Sequence, residues 1–143
     1  MLETPTTSRI PSAKNHLATG ILRKFIGPAQ RSALADILRG EEREYFAENL
    51  CALADLITTM PHTYQQDGMG GKATVHLHYF AGGRANWWIT EKDMDGGTQQ
   101  AFGKADLFGD GGELGYISID EIVANGGEID LYWTPKTLSE CEA

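Results

Sequence analysis

Residues 73–93, ATVHLHYFAGGRANWWITEKD, collect the side chains of this chain best suited to chemistry. His76 and His78 lie two apart, Trp87 and Trp88 are adjacent, and Glu91 and Asp93 follow. On a strand, residues two apart share a face, so His76 and His78 could ligate one metal while Leu77 and Tyr79 point the other way. A zinc site takes three or four ligands. The nearest further donors are His62, ahead of a glycine-rich loop, and Glu91 and Asp93 at the far end of the next strand. Antiparallel pairing about the AGGR loop would set Phe80 near Asn86 or Arg84 and Glu91 near Val75. A metal-dependent enzyme using His76, His78 and Glu91 is therefore one reading. The plainer one is a half-exposed strand that carries polar residues on its solvent side.

Other chemistries have weaker support. Glu91, Asp93, Asp106, Glu113 and Asp130 each fall at or near an expected strand end. Gathered on one rim, they would raise one another's pKa values and could form an acid–base pair. Solvated strand ends and Asp-led turns explain the same pattern without catalysis. A calcium loop counted from Asp93 would need Gly at Thr98 and Glu at Lys104, and one counted from Asp106 meets Phe108 and Ile117 where ligands belong. Gly71-Lys72-Ala73 lacks the earlier Gly and the Ser or Thr of a phosphate loop. No G-x-S-x-G occurs, and Cys51 and Cys141 fit no CxxC pattern. No cofactor is expected, and catalysis is not the leading class.

The elements that must position these residues can be read from periodicity. Residues 1–16 combine Thr, Ser and Pro with few apolar side chains and are expected to form an extended or mobile arm. Residues 17–143 then form a single α+β domain, with a helical part over 17–60 and a sheet part over 74–135. Leu17, Ile21, Leu22, Phe25 and Ile26 recur at helical spacing until Gly27-Pro28, a second helix runs over 28–38, and a third over 41–59 carries Phe46, Leu50, Leu53, Ala54 and Ile57 as its apolar stripe. Beyond Lys72 the pattern alternates, and short strands are expected at 74–80, 86–91, 100–108, 114–118 and 128–133, separated by glycine clusters. Ser118 three residues before Glu121 is a capping box that should open a short helix before the last strand. The expectation is N-terminal helices packed on an antiparallel sheet of about five short strands. Trp87 and Trp88 must then project to opposite faces. One belongs to the core, and the other lies under the helical layer or, if exposed, anchors a partner.

Charge is divided along the chain. Residues 1–39 carry a net +4, and the remaining residues −12, within a total of −8. So acidic a body repels phosphate backbones. Nucleic-acid binding would have to rest on the N-terminal segment, through Arg9, Lys14, Arg23, Lys24 and Arg31. No apolar run reaches the length of a membrane span, and residues 1–20 lack the order of a secretory signal, so a cytoplasmic protein is expected.

Several short motifs occur in sequence between residues 74 and 135: Trp88 with Thr90-Glu91-x-Asp93, Ala101-Phe102-Gly103 with Asp106-Leu107, Glu113-Leu114-Gly115-Tyr116 with Ser118 and Glu121, and Asp130-Leu131. In these the chain resembles a family of small uncharacterised proteins encoded on bacterial conjugative plasmids, integrative elements and phage-related regions. His76 and His78 depart from that family's pattern, which weakens the metal reading. The resemblance implies an α+β domain and residence on a mobile element. Neighbouring functions there include conjugation, replication control and defeat of restriction or CRISPR defences. The expectation is a non-enzymatic accessory protein that binds a host or element protein, such as a basic nucleic-acid-binding protein, with Trp88, Glu91, Asp93, Asp106, Glu113 and Glu121 at the interface.

Overall fold

The computed structural model describes residues 8–95 and 97–141. Four helices come first: α1 (Ile10–Ala18), α2 (Leu22–Phe25), α3 (Pro28–Ile37) and α4 (Arg43–Thr59). Pro28 occupies the first turn of α3, where its missing amide has no intrahelical partner to lose. α1 corrects the reading of residues 1–16 as an arm, because Ile10, Ala13 and Leu17 form a stripe that packs in the core. Residues 1–7 of that arm lie outside the described residues.

The second half is β1 (Thr74–Val75), β2 (Leu77–Ala81), β3 (Ala85–Glu91), β4 (Ala101–Asp106), β5 (Glu113–Ile117), α5 (Ile119–Ala124), β6 (Glu128–Ile129), β7 (Lys136–Thr137) and α6 (Leu138–Cys141). Five strands form one antiparallel sheet in the order β5-β4-β3-β2-β6, and β1 pairs with β7 apart from it. The α+β class is as expected, and Ser118 accepts the Glu121 amide at 3.2 Å to open α5. Strand boundaries differ by more than one residue in three places, the strand expected over 100–108 ending at Asp106, and β7 was not expected. The strand expected over 74–80 breaks at His76, and that over 128–133 stops after Ile129, where the Asp130 carboxylate accepts the Tyr132 amide at 2.9 Å and turns the chain.

Pairing of Leu77 with Ile89, Tyr79 with Trp87 and Ala101 with Ile117 fixes one face of the sheet. These residues join Leu22, Phe25, Leu50 and Ile57 in a core between sheet and helices. The fully buried Tyr79 donates its hydroxyl to the carbonyl of Phe25, tying mid-sheet to α2. Close strand approach needs Gly103, since a Cβ there would strike the backbone carbonyl of Trp88. At the β6 edge the Gln30 amide of α3 takes the place of a neighbouring strand. It donates to the Ile129 carbonyl and accepts the Ile129 N–H, both at 2.9 Å.

Candidate functional site

The opposite face of the sheet carries His78, Phe80, Trp88, Phe102, Leu114 and Tyr116, which the registers His78↔Trp88, Phe80↔Asn86 and Phe102↔Tyr116 place on one side. No helix of the N-terminal layer covers it; part lies under the small cluster Ala73, Val75 and Leu138, against which Trp88 and Trp133 pack. What stays open is a cleft of about 350 Å³ between the 62–73 loop, Leu138 and the outer sides of β3, β4 and β5. Phe102 meets Tyr116 edge-on at 5.8 Å between ring centroids, and the Tyr64 and Tyr116 hydroxyls are hydrogen-bonded to each other. That bond, with burial, raises the Tyr116 phenol above its usual pKa. Tyr64 has φ = 80°, a left-handed conformation uncommon for a bulky residue, and it holds its ring over the cleft.

The floor is polar and fully engaged. Glu91 is 3% exposed; one carboxylate oxygen accepts the Gln66 backbone N–H at 3.1 Å and the other accepts the Thr90 hydroxyl. The Gln66 side chain donates to the carbonyls of Thr74 and Thr90 and accepts the Thr74 amide, bridging β1 and β3 as a backbone segment would. Lys92, just beyond, donates to the carbonyls of Ile57 and Thr58 and so caps the C-terminus of α4. Burial lowers its ammonium below the usual lysine value. Glu91 thus anchors the loop that walls the cleft.

The remaining carboxylates do not gather on one rim. Asn86 pairs with Asp106 and Ala105 with Glu113, so these acids stand at the end of β3 away from Glu91, about 17 Å along the strand. Asp106 is 8% exposed and accepts the backbone amides of Phe108, Gly109, Asp110 and Gly111. Burial alone would raise its pKa; the four N–H donors outweigh that and hold the carboxyl below the ordinary aspartate value. Asp93 accepts the Gln100 amide at 3.1 Å and closes its own turn. Glu113 and Glu121 are exposed, the latter on α5.

The two histidines separate. His78 lies between Asp130, 3.0 Å from Nδ1, and Asn86, 2.8 Å from Nε2, and it stacks on Trp88 with Trp133 alongside. Both ring nitrogens therefore face oxygen acceptors. His76 sits at the break between β1 and β2, its Nδ1 buried without a hydrogen-bond partner among the described residues. Burial, partly countered by the Glu91 charge, lowers its pKa. Among the described residues no three His, Cys, Asp or Glu side chains are arranged to hold a metal ion. His76, His78 and Glu91 are thus not brought together as a three-ligand set, and the donor atoms of His78 and Glu91 are hydrogen-bonded to Asp130, Asn86, Gln66 and Thr90. Trp87 packs on the main core, and Trp88 lies half-buried beneath the C-terminal segment rather than under the helical layer.

Sequence reasoning did not single out Tyr64 or Gln66, and it named Phe102, Leu114 and Tyr116 only within the motifs of the resemblance, not as interface residues. The alternation of Leu114 with Tyr116 on an expected strand was the available signal. No family model, curated protein or solved structure matches the chain. Among the described residues no helix is long and apolar enough to cross a membrane.

Proposed function

We propose that this chain acts by binding a partner protein through the outer face of its sheet. Its setting would be a mobile genetic element, and its specific role inhibition of a host CRISPR or restriction defence. The observation that carries the reading is a row of large side chains left in solvent there: Tyr64 at 59%, Tyr116 at 56% and Leu114 at 53% exposure. Strand residues are already held by their ladder, so ordering them costs little on binding, and exposed aromatics are effective interface anchors. A contiguous apolar patch on a soluble surface marks a binding site more often than chance.

Acidity selects the partner. Asp67 and Glu113 flank the patch, and the body beyond residue 39 carries −12. A basic protein, such as one with a groove for nucleic acid, would meet carboxylates where phosphates otherwise sit. In this reading Glu113 touches the partner, Trp88 and Glu91 support the face from beneath, and Asp106 shapes the loop beside it.

The double variant Leu114→Glu/Tyr116→Glu tests it. Both residues are more than half exposed, so the far-UV circular dichroism spectrum should match that of the wild type. Wild-type chain is expected to restore plating of a phage on a host that restricts it, and the variant to lose that effect along with at least tenfold of affinity for the captured protein, about 1.4 kcal/mol. Plating unchanged by wild type on CRISPR-bearing and restricting hosts would remove the defence role. Equal capture by the variant would remove the face.

A further inference from the structure

The helical layer holds a second recess, unlike the first in charge. A groove of about 470 Å³ runs between α1 and α3, with the buried Leu17 and Leu38 in its floor and Lys14, Arg23, Arg31 and Arg39 around its rim. Two of these cations are held in place. Arg23 donates through Nη1 to the Ala18 carbonyl at the end of α1, and Arg31 donates through Nη1 to the carbonyls of Ile26 and Arg23. A guanidinium carries five N–H donors, so these bonds fix its position and leave it able to bind an anion with little further loss of freedom. Arg39 pairs with Asp36 at 3.3 Å, with both side chains at least 70% exposed; such a pair is weak and readily exchanged.

The spread of charge decides the ligand. Four cations, contributed by α1, α2, α3 and the turn after α3, are spread around the rim, more than one phosphate or carboxylate would occupy. A nucleic acid would supply several phosphates, but the groove offers no aromatic ring for its bases and the rest of the body repels its backbone. Of the residues through which nucleic-acid binding was expected, Arg9 and Lys24 do not line it. An apolar floor between cationic walls complements a helix with an apolar stripe flanked by carboxylates. We propose that this groove binds an acidic amphipathic helix of a partner protein, whose apolar side chains sit on Leu17 and Leu38 while its carboxylates meet Lys14, Arg23, Arg31 and Arg39. The proposal stands independently of the sheet face.

The probe is a fluorescein-labelled peptide of about 16 residues, ~24 Å as a helix, with Leu at i, i+3, i+4 and i+7 and Glu on the flanks. Its fluorescence anisotropy with the full chain should report saturable binding that weakens as salt rises. A permuted peptide of identical composition, without the apolar stripe, should bind at least tenfold more weakly. The variant Lys14→Glu/Arg39→Glu changes two exposed cations that bond to no helix carbonyl at α1 or α2, and should lose at least tenfold with its circular dichroism spectrum unchanged. Equal binding of the permuted peptide, an unaffected double variant, absence of binding, or equal affinity for a single-stranded oligonucleotide of matched charge would each overturn the proposal. Leu114 and Tyr116 remain intact throughout, so failure here is distinct from failure of the sheet face.

Discussion

Asp106 illustrates how a residue can look like a charged contact in sequence and act as a loop organiser in space. Read from spacing, it was one acid of a rim; in the fold its carboxylate collects four backbone amides and is almost hidden. Because its folded pKa lies below the unfolded value of about 3.9, its contribution to stability is complete above that pH and is lost as pH falls through the lower folded value. Asp106→Asn should therefore unfold at a lower temperature than wild type at pH 7, with the gap closing toward pH 2, as followed by circular dichroism. An equal gap at both pH values would mean that its charge plays no part. His76 works in the opposite sense for a base. Burial keeps it neutral, so the chain loses stability as pH falls below the unfolded histidine value, about 6.5, toward the lower folded one. The Asp106 donors lie within five residues, so an Asp-led turn was legible there, whereas the burial of His76 depends on strands brought in from elsewhere.

At the level of elements, what the sequence made legible was what local physics determines. The α4 stripe, the Pro28 start of α3, the Ser118 cap and the AGGR hairpin register all rest on neighbours within a few residues. The break at His76 and the β7–α6 segment were not legible, since β1 pairs with β7 more than sixty residues away. Leu138, for example, donates its amide to Ala73. The early end of β6 rests on the local Asp130 turn, whose signal was overlooked. The same distinction separates the alternation of Leu114 and Tyr116, visible locally, from the Gln66 bridge that builds the cleft beside them. Gly103 is a sharp test of strand packing. Gly103→Ala would drive a methyl into the Trp88 carbonyl, so β3 and β4 must part; a loss of about 1–3 kcal/mol is expected in urea unfolding. A change within error would show that the strands have room to spare.

For the molecule as a whole, charge and shape divide the surface between two layers. The helical layer sets Lys14, Arg23, Arg31 and Arg39 around one groove, and the sheet turns an aromatic face with acidic neighbours to solvent. Two recesses of opposite sign on one small body allow two different partners to be held at once. The sheet itself has a further asymmetry. Gln30 fills the hydrogen-bonding groups of Ile129, while among the described residues no strand flanks the outer side of β5. In native-state hydrogen exchange the Ile129 amide should be protected, and Gln30→Ala should speed its exchange at least tenfold; no change would mean that the amide is shielded by something else. With one edge sealed by a side chain, the main sheet has one free edge among the described residues. Two chains, or a chain and one foreign strand, could join at β5 and would then have no sheet edge left to offer. Among the described residues, strand addition to the main sheet is thereby directed to β5, and Gln30→Ala would uncover the hydrogen-bonding groups of Ile129 alone.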